Sequence, residues 1–201
     1  MQTVPESKTS LASMILGGAS RLIAGRLARV IITLAGLAIL SRLLTPAEFG
    51  VVAITAMMLP LSAALTHGAI EVPILRRDKL DDDEVSSSMW LGYFMIVGLI
   101  GIIWTSAPII SYQLNLPDLT DALRLMAFGL LLQPGCSTGE AILRRKRRFA
   151  SIATLMPLTG GVYVISAIIM ALNGMGFWSL IYGQLLSLLT RTLGVIWLSG
   201  V

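Results

Sequence analysis

The chain has 201 residues, 55% of them hydrophobic and 13% charged, with a mean hydropathy of +0.82 and a formal net charge of +4. A soluble domain carries about 25% charged residues, so half that level, gathered into clusters, excludes an ordinary water-soluble domain and points to lipid as the solvent. One cysteine, Cys136, excludes an internal disulfide, and one histidine, His67, excludes a histidine metal cluster.

Residues 1–20 are polar, then amphipathic, and read as a cytoplasmic or interfacial segment. The apolar stretch 11–19 is too short for a signal-peptide core and only Lys8 precedes it, so it reads as non-cleaved. The six-helix bundle is expected over residues 21–201. The first span is predicted over 22–44, with Arg26 and Arg29 in its first half. Thr45 is a good N-cap, followed by Pro46 at the first helical position and Glu48 three residues on, a capping box that starts a second helix abruptly. That second span, over 47–75, carries Pro60, which is expected to bend it.

The connection at 76–84 is densely charged and belongs in water. A third span over 87–107 is expected to end at Pro108. A fourth over 120–143 is expected to break at Pro134-Gly135 and to exit into Arg144-Arg145-Lys146-Arg147-Arg148. The uncharged run from Phe149 to Thr190 is too long for one crossing of about 20 residues. Its Asn173-Gly174 turn divides it into a fifth span, 150–172, and a sixth, 177–198. The expectation is an all-α polytopic membrane protein, a bundle of six transmembrane helices.

Lys and Arg collect on the cytoplasmic side of membrane proteins. With the N-terminus inside, 12 of the 15 cations fall on that side: Lys8, Arg21, Arg26, Arg29, Arg76, Arg77, Lys79 and residues 144–148. Both termini are therefore expected in the cytoplasm, with the Thr45 turn, the loop after Pro108 and the Asn173 turn outside. The positive charge thus reads as topology, and no nucleic-acid partner is expected. The run at 144–148 reads as a topology anchor, with anionic-lipid binding as the alternative.

Polar residues inside the spans fall at helical spacings. Arg29 and Thr33 share a face of the first span, and Thr55, Ser62 and Thr66 a stripe of the second. Gln133, Ser137 and Glu140 line up on the fourth, and Gln184, Ser187 and Arg191 on the sixth. Ser, Thr and Gln in such places chiefly tie helices together. An intramembrane arginine instead faces a cavity or a partner, so Arg29 and Arg191 are expected at a cavity wall. Glu140 is the deep carboxylate available to neutralise either. The third span offers only glycine and apolar side chains between Phe94 and Ile103 and is expected to face lipid. There is no phosphate loop, no Ser/His/Asp set and no intramembrane carboxylate cluster, so no catalytic residue, metal or cofactor is expected.

SRLLTPAEFGVVAI (41–54) resembles the first outer turn of the Wzx-type polysaccharide-export flippases, a branch of the multidrug/oligosaccharidyl-lipid/polysaccharide exporter superfamily. HGAIEVPILRRDKL (67–80) is similar to the end of that family's second helix, and ILRRKRRFASIATL (142–155) to its fourth-to-fifth junction. NGMGFWSLIYGQLL (173–186) resembles its turn into the sixth helix. The four pieces keep their order across nearly the whole chain.

The resemblance implies two six-helix bundles around a central cavity that opens to each side of the bacterial inner membrane in turn. It implies an undecaprenyl-pyrophosphate-linked oligosaccharide as substrate, with cavity cations suited to the pyrophosphate. Arg29, Thr33, Gln133, Glu140, Gln184 and Arg191 are the residues here expected at that cavity. The family's chains are about twice as long, so this one corresponds to the first bundle. It is expected to need a second bundle or partner subunit, besides membrane lipids, to transport. Two alternatives stand beside the flippase reading: a small-molecule or drug exporter of the same superfamily, and a non-transporting scaffold of a polysaccharide assembly complex.

Overall fold

The computed structural model describes residues 7–71, 82–146 and 148–199. Most of the charged connection expected at 76–84, and Arg147 of the basic run, lie outside them. Every regular element among the described residues is helical. The helices are α1 (Ser7–Leu43), α2 (Pro46–Ala56), α3 (Met58–Thr66) with a π-helical continuation (His67–Glu71), and α4 (Asp82–Leu114). They are followed by α5 (Leu119–Gly129), a 3-10 turn (Leu130–Leu132), α6 (Gln133–Arg145), α7 (Phe149–Leu172) and α8 (Trp178–Ser199). α1 passes residue 20 without a break.

Five stretches are long and apolar enough to cross a membrane: Ser20–Leu43, Pro46–Ile70, Ser86–Leu114, Phe149–Leu172 and Trp178–Ser199. The fourth expected span differs, because it is three shorter segments in series, α5, the 3-10 turn and α6. The prolines explain where two spans are interrupted. A proline lacks the N–H that would bond the carbonyl four residues back, and its ring crowds that carbonyl. Four residues before Pro60 is Ala56, where α2 ends. Four before Pro134 is Leu130, where the 3-10 turn begins. The breaks therefore fall a turn ahead of the prolines themselves.

Pro108, expected to end the third span, lies inside α4, which continues to Leu114. The true stop is Asn115, in the left-handed region at φ 54°. Leu116 N–H bonds the Ser111 carbonyl at 3.1 Å and Asn115 N–H bonds that of Tyr112 at 3.3 Å, which is Schellman closure. Gly174, at φ 77°, ends α7 in the same way, with Met175 N–H on the Met170 carbonyl. α4 is also not simply lipid-facing. Trp90, Phe94 and Ile102 are exposed, whereas Ile96, Leu99, Ile103 and Ala107 are buried in the main core.

The helices alternate in direction. Gly25 and Gly36 of α1 meet Ala153 and Val164 of α7, so those two run parallel. Gly183 and Gly194 of α8 meet Tyr163 and Leu155, so α8 runs back against α7. Gly129 and Gly139 face Leu185 and Val195, which sets α5 and α6 parallel to α8. With these directions the turns after α1, α4 and α7 fall at one end of the bundle, where Gly176 lies against Glu48 and Leu44, Leu116 and Phe177 join the main core. At the other end, Lys146 Nζ donates to the Ser199 carbonyl at 2.9 Å and Arg148 to that of Leu198 at 3.3 Å. Cations there satisfy the open carbonyls of the α8 C-terminus.

Polarity is inverted relative to a soluble protein. Thr55, Ser62, Thr66, Gln133, Ser137, Glu140, Thr159, Ser187 and Thr192 are buried, while Ile31, Trp90, Phe94, Ile165 and Trp197 are exposed. A bilayer asks for this arrangement, since lipid satisfies apolar surface and no polar group. Ser137 Oγ donates to Thr66 Oγ1 at 3.2 Å and Ser187 Oγ to the Thr159 carbonyl at 2.9 Å, so parts of three of the expected stripes tie helices together.

The capping box is formed as expected. Thr45 N–H donates to Glu48 Oε2 at 2.7 Å, and Thr45 Oγ1 accepts from Glu48 N–H at 3.5 Å. Glu48 also reaches the turn between α7 and α8, because a Cβ on Gly176, at φ 55°, would strike its carboxylate. Thr45→Ala is expected to lower stability by about 1 kcal/mol, read as thermal unfolding in detergent. Gly176→Ala is expected to cost more, since it strains the backbone and displaces the same carboxylate. A Thr45→Ala protein as stable as wild type contradicts this role for the cap.

Candidate functional site

Three helices, α1, α7 and α8, line a half-open cavity of about 610 Å³. From α1 it receives Arg26, Arg29, Val30, Thr33 and Leu34. From α7 come Met156, Gly160 and Tyr163, and from α8 Gln184, Ser187 and Arg191. On each helix these residues recur at spacings of three, four or seven, the neighbours on one helical face.

Glycine at 160 makes room for the longest of these side chains. A Cβ there would lie 3.1 Å from Arg29 Cγ, so the arginine stem rests on bare helix backbone. Thr33 Oγ1 donates to the Arg29 carbonyl at 2.9 Å one turn along α1.

Arg191 is held from behind. Its Nε donates to Glu140 Oε1 at 2.8 Å, and its terminal nitrogen meets the same oxygen. Glu140 Oε2 lies 3.7 Å from Arg144, one turn further along α6. The Glu140 side chain is 7% exposed and that of Arg191 32% exposed, so the carboxylate is inside and the guanidinium reaches the cavity. A much smaller void, about 10 Å³, separates Arg29 from the Glu140–Arg191 pair and is walled by Leu155, Met156 and Thr159. Three guanidinium groups therefore reach the main cavity, and its described lining holds no carboxylate. The site can receive an anion in a setting drier than bulk water, where charge-assisted hydrogen bonds are strong. Among the described residues no group of three or more His, Cys, Asp or Glu is arranged to hold a metal ion.

Of the six residues expected at the cavity, Arg29, Thr33, Gln184 and Arg191 line it. Glu140 stands behind Arg191 as its counter-charge and borders only the small void. Gln133 is buried at the start of α6 and is not on the cavity wall. Ser187 lines the cavity but spends its proton on α7. Sequence reasoning left Arg26, Val30 and Leu34 of α1, Ser187 of α8 and all three α7 residues, Met156, Gly160 and Tyr163, unassigned to the cavity. The signal on α7 was available, because its three residues stand at i, i+4 and i+7 on the fifth span. An apolar helix with one tyrosine and a Gly-Gly pair reads more readily as a bend than as a wall.

The comparisons with known proteins agree with this architecture. The chain is 25% identical over 157 residues to the "Succinoglycan biosynthesis transport protein ExoT" of Rhizobium meliloti (strain 1021), covering 78% of this chain and 32% of the relative. It is 26% identical over 157 residues to an "Uncharacterized membrane protein in cps region" of Klebsiella pneumoniae, covering 77% of this chain and 32% of that protein. The chain thus spans about a third of the length of these curated relatives. No solved structure matches it. A family model described as "Polysaccharide biosynthesis protein" matches residues 39–201, from the end of α1 onward. The chain belongs to this family of polysaccharide biosynthesis proteins and is a multi-pass membrane protein.

Proposed function

We propose that the chain is one bundle of a transporter that flips an undecaprenyl-pyrophosphate-linked oligosaccharide across the bacterial inner membrane. The observation that carries this reading is the cavity into which Arg26, Arg29 and Arg191 open without an acidic neighbour on its described wall. A pyrophosphate offers several acceptor oxygens to such guanidinium groups. A volume of about 610 Å³ lies within the range of ligand sites, roughly 300–1,000 Å³. The relative named for succinoglycan transport supports the substrate class.

In this reading the helical run from α5 to α6 is a sixth crossing, and both termini are cytoplasmic. The basic run at 144–148 and the end of α8 then lie inside, and the turns at Thr45, Asn115 and Gly174 outside. α1 closes one side of the cavity and leaves Ile23, Leu27, Ile31 and Leu34 exposed. A second bundle or a partner subunit completes the wall, and the interruptions at Met57 and Leu130–Leu132 are where the rocking bundle bends. The chain's own residues bind and orient the substrate and perform no covalent step.

The drug-exporter alternative fits less well, because an acidic, aromatic cavity would suit cationic drugs and this one is cationic. The scaffold alternative asks for a basic loop free to bind partners. Here Lys146 and Arg148 bond the α8 C-terminus, and Arg144 pairs with Glu140.

The test is polysaccharide export by the full-length protein carrying Arg29→Ala or Arg191→Ala, with membrane levels checked by immunoblot. Export is expected to fall at least about tenfold, the loss of roughly one charge-assisted hydrogen bond. Wild-type export from both variants at normal protein levels removes the cavity from the mechanism.

A further inference from the structure

The polar groups of the cavity are sorted along the bundle axis. On α1, Thr33 lies four residues beyond Arg29 toward the Thr45 end, about 6 Å at 1.5 Å per residue. On the parallel α7, Tyr163 lies three residues beyond Gly160, the glycine that carries the Arg29 stem. On the antiparallel α8, Gln184 lies seven residues before Arg191, about 10 Å in the same direction. Three helices thus agree: the guanidinium groups occupy one end of the cavity, and an uncharged hydroxyl, phenol and amide occupy the other.

The hydrogen-bonding capacity of the uncharged end is open. The Gln184 amide and the Tyr163 hydroxyl have no hydrogen-bond partner among the described residues, and Thr33 Oγ1 uses its proton on the Arg29 carbonyl and keeps its lone pairs. An acyl chain placed there would strand the amide and the phenol without partners. A polyol fits instead, because its hydroxyls both donate and accept and its C–H faces lie well on a tyrosine ring.

We infer that Thr33, Tyr163 and Gln184 form a neutral sugar-binding subsite, and that the substrate lies lengthwise with its pyrophosphate at Arg26, Arg29 and Arg191. This rests on the flippase reading above and adds to it a direction for the substrate. The sugar points toward the end of the Thr45 turn, and the phosphates toward the basic run at 144–148. Tyr163 and Gln184 then read the first sugar of the oligosaccharide.

Two probes separate the two claims: undecaprenyl pyrophosphate, and the same lipid carrying one neutral hexose, each titrated against the full-length protein in nanodiscs. Tyr163→Phe and Gln184→Leu keep volume and apolar packing and remove only hydrogen-bonding groups. Each is expected to weaken the hexose-bearing probe about fivefold to tenfold, the size of a lost hydrogen bond. Binding of the plain pyrophosphate is expected to stay within about twofold. Equal weakening of both probes, or no change in either, overturns the subsite. A wild-type protein that binds the plain lipid but gains nothing from the hexose overturns it too. A wild-type protein that binds neither probe overturns the flippase reading and the subsite with it.

Discussion

Gly25→Val is expected to lift α1 off α7 and open the wall of the cavity. A Cβ at Gly25 would overlap the carbonyl oxygen of Ala153 and lie 3.0 Å from its Cα. A backbone atom cannot rotate aside as the end of a side chain can, so the helices must separate. The contact is also the main hold on α1, whose membrane-length stretch is only 11% buried, against 44% for that of α8. Within a bilayer, close approach of small residues drives helix association, because the hydrophobic effect favours neither state. Overpacking costs about 1–3 kcal/mol, and a rigid backbone obstacle places Gly25→Val at the upper end of that range. Gly101→Ala is the matched control. Nothing lies within 4 Å of its Cβ position on α4, so it is expected to be neutral, or stabilising by up to ~1 kcal/mol. Thermal unfolding in nanodiscs and hydrogen exchange along α1 read both. Equal effects from the two glycines contradict the close packing of α1 on α7.

Arg191→Ala is expected to separate stability from function. The single change leaves Glu140 inside the bundle, with the half-exposed Arg144 still 3.7 Å from its Oε2. Removing one member of a fully buried pair costs about 3–5 kcal/mol. Because Arg191 is a third exposed, about 2 kcal/mol is expected here. Glu140→Gln costs less, since it leaves the charge on the partner that reaches the cavity. The double variant Glu140→Leu/Arg191→Leu is expected to recover most of the stability, as apolar replacements of buried pairs do, while export stays lost. A coupling energy of at least ~1 kcal/mol follows for residues in direct contact. Additive stability losses contradict the pairing. Export restored in the double variant contradicts a role for the Arg191 charge.

What was legible in the sequence was whatever depends on local chemistry. The Thr45 cap and the Gly174 turn are written in adjacent residues and form as read, and five of the six expected apolar runs are helical stretches of membrane-crossing length. The effect of proline was legible only in part. Pro60 and Pro134 interrupt their helices a turn upstream, yet α4 and α7 run through Pro108 and Pro157. Whether a freed carbonyl breaks a helix depends on neighbouring helices, which no single window of sequence contains. The stop of α4 at Asn115 depended on a left-handed residue that a nearby proline overshadowed.

The charged part of the site was legible because charge inside an apolar span is rare and demands a partner. Glu140 and Arg191 are 51 residues apart in the chain and find each other. Reading the same polar stripe could not separate Gln133, buried off the cavity, from Glu140, because both share one helical face. Tyr163 was missed for the opposite reason, since a single phenol in an apolar helix carries no charge to mark it.

The central claim, that this bundle holds a pyrophosphate on Arg29 and Arg191, is tested most directly by lipid binding to the reconstituted full-length protein. Undecaprenyl pyrophosphate and undecaprenol, which share the chain and differ in the head, are titrated against wild type, Arg29→Ala and Arg191→Ala. Wild type is predicted to prefer the pyrophosphate by at least about a hundredfold, near 2.7 kcal/mol, and each arginine variant to lose most of that preference. Equal binding of the two lipids by wild type, or a preference that survives both substitutions, would contradict the account.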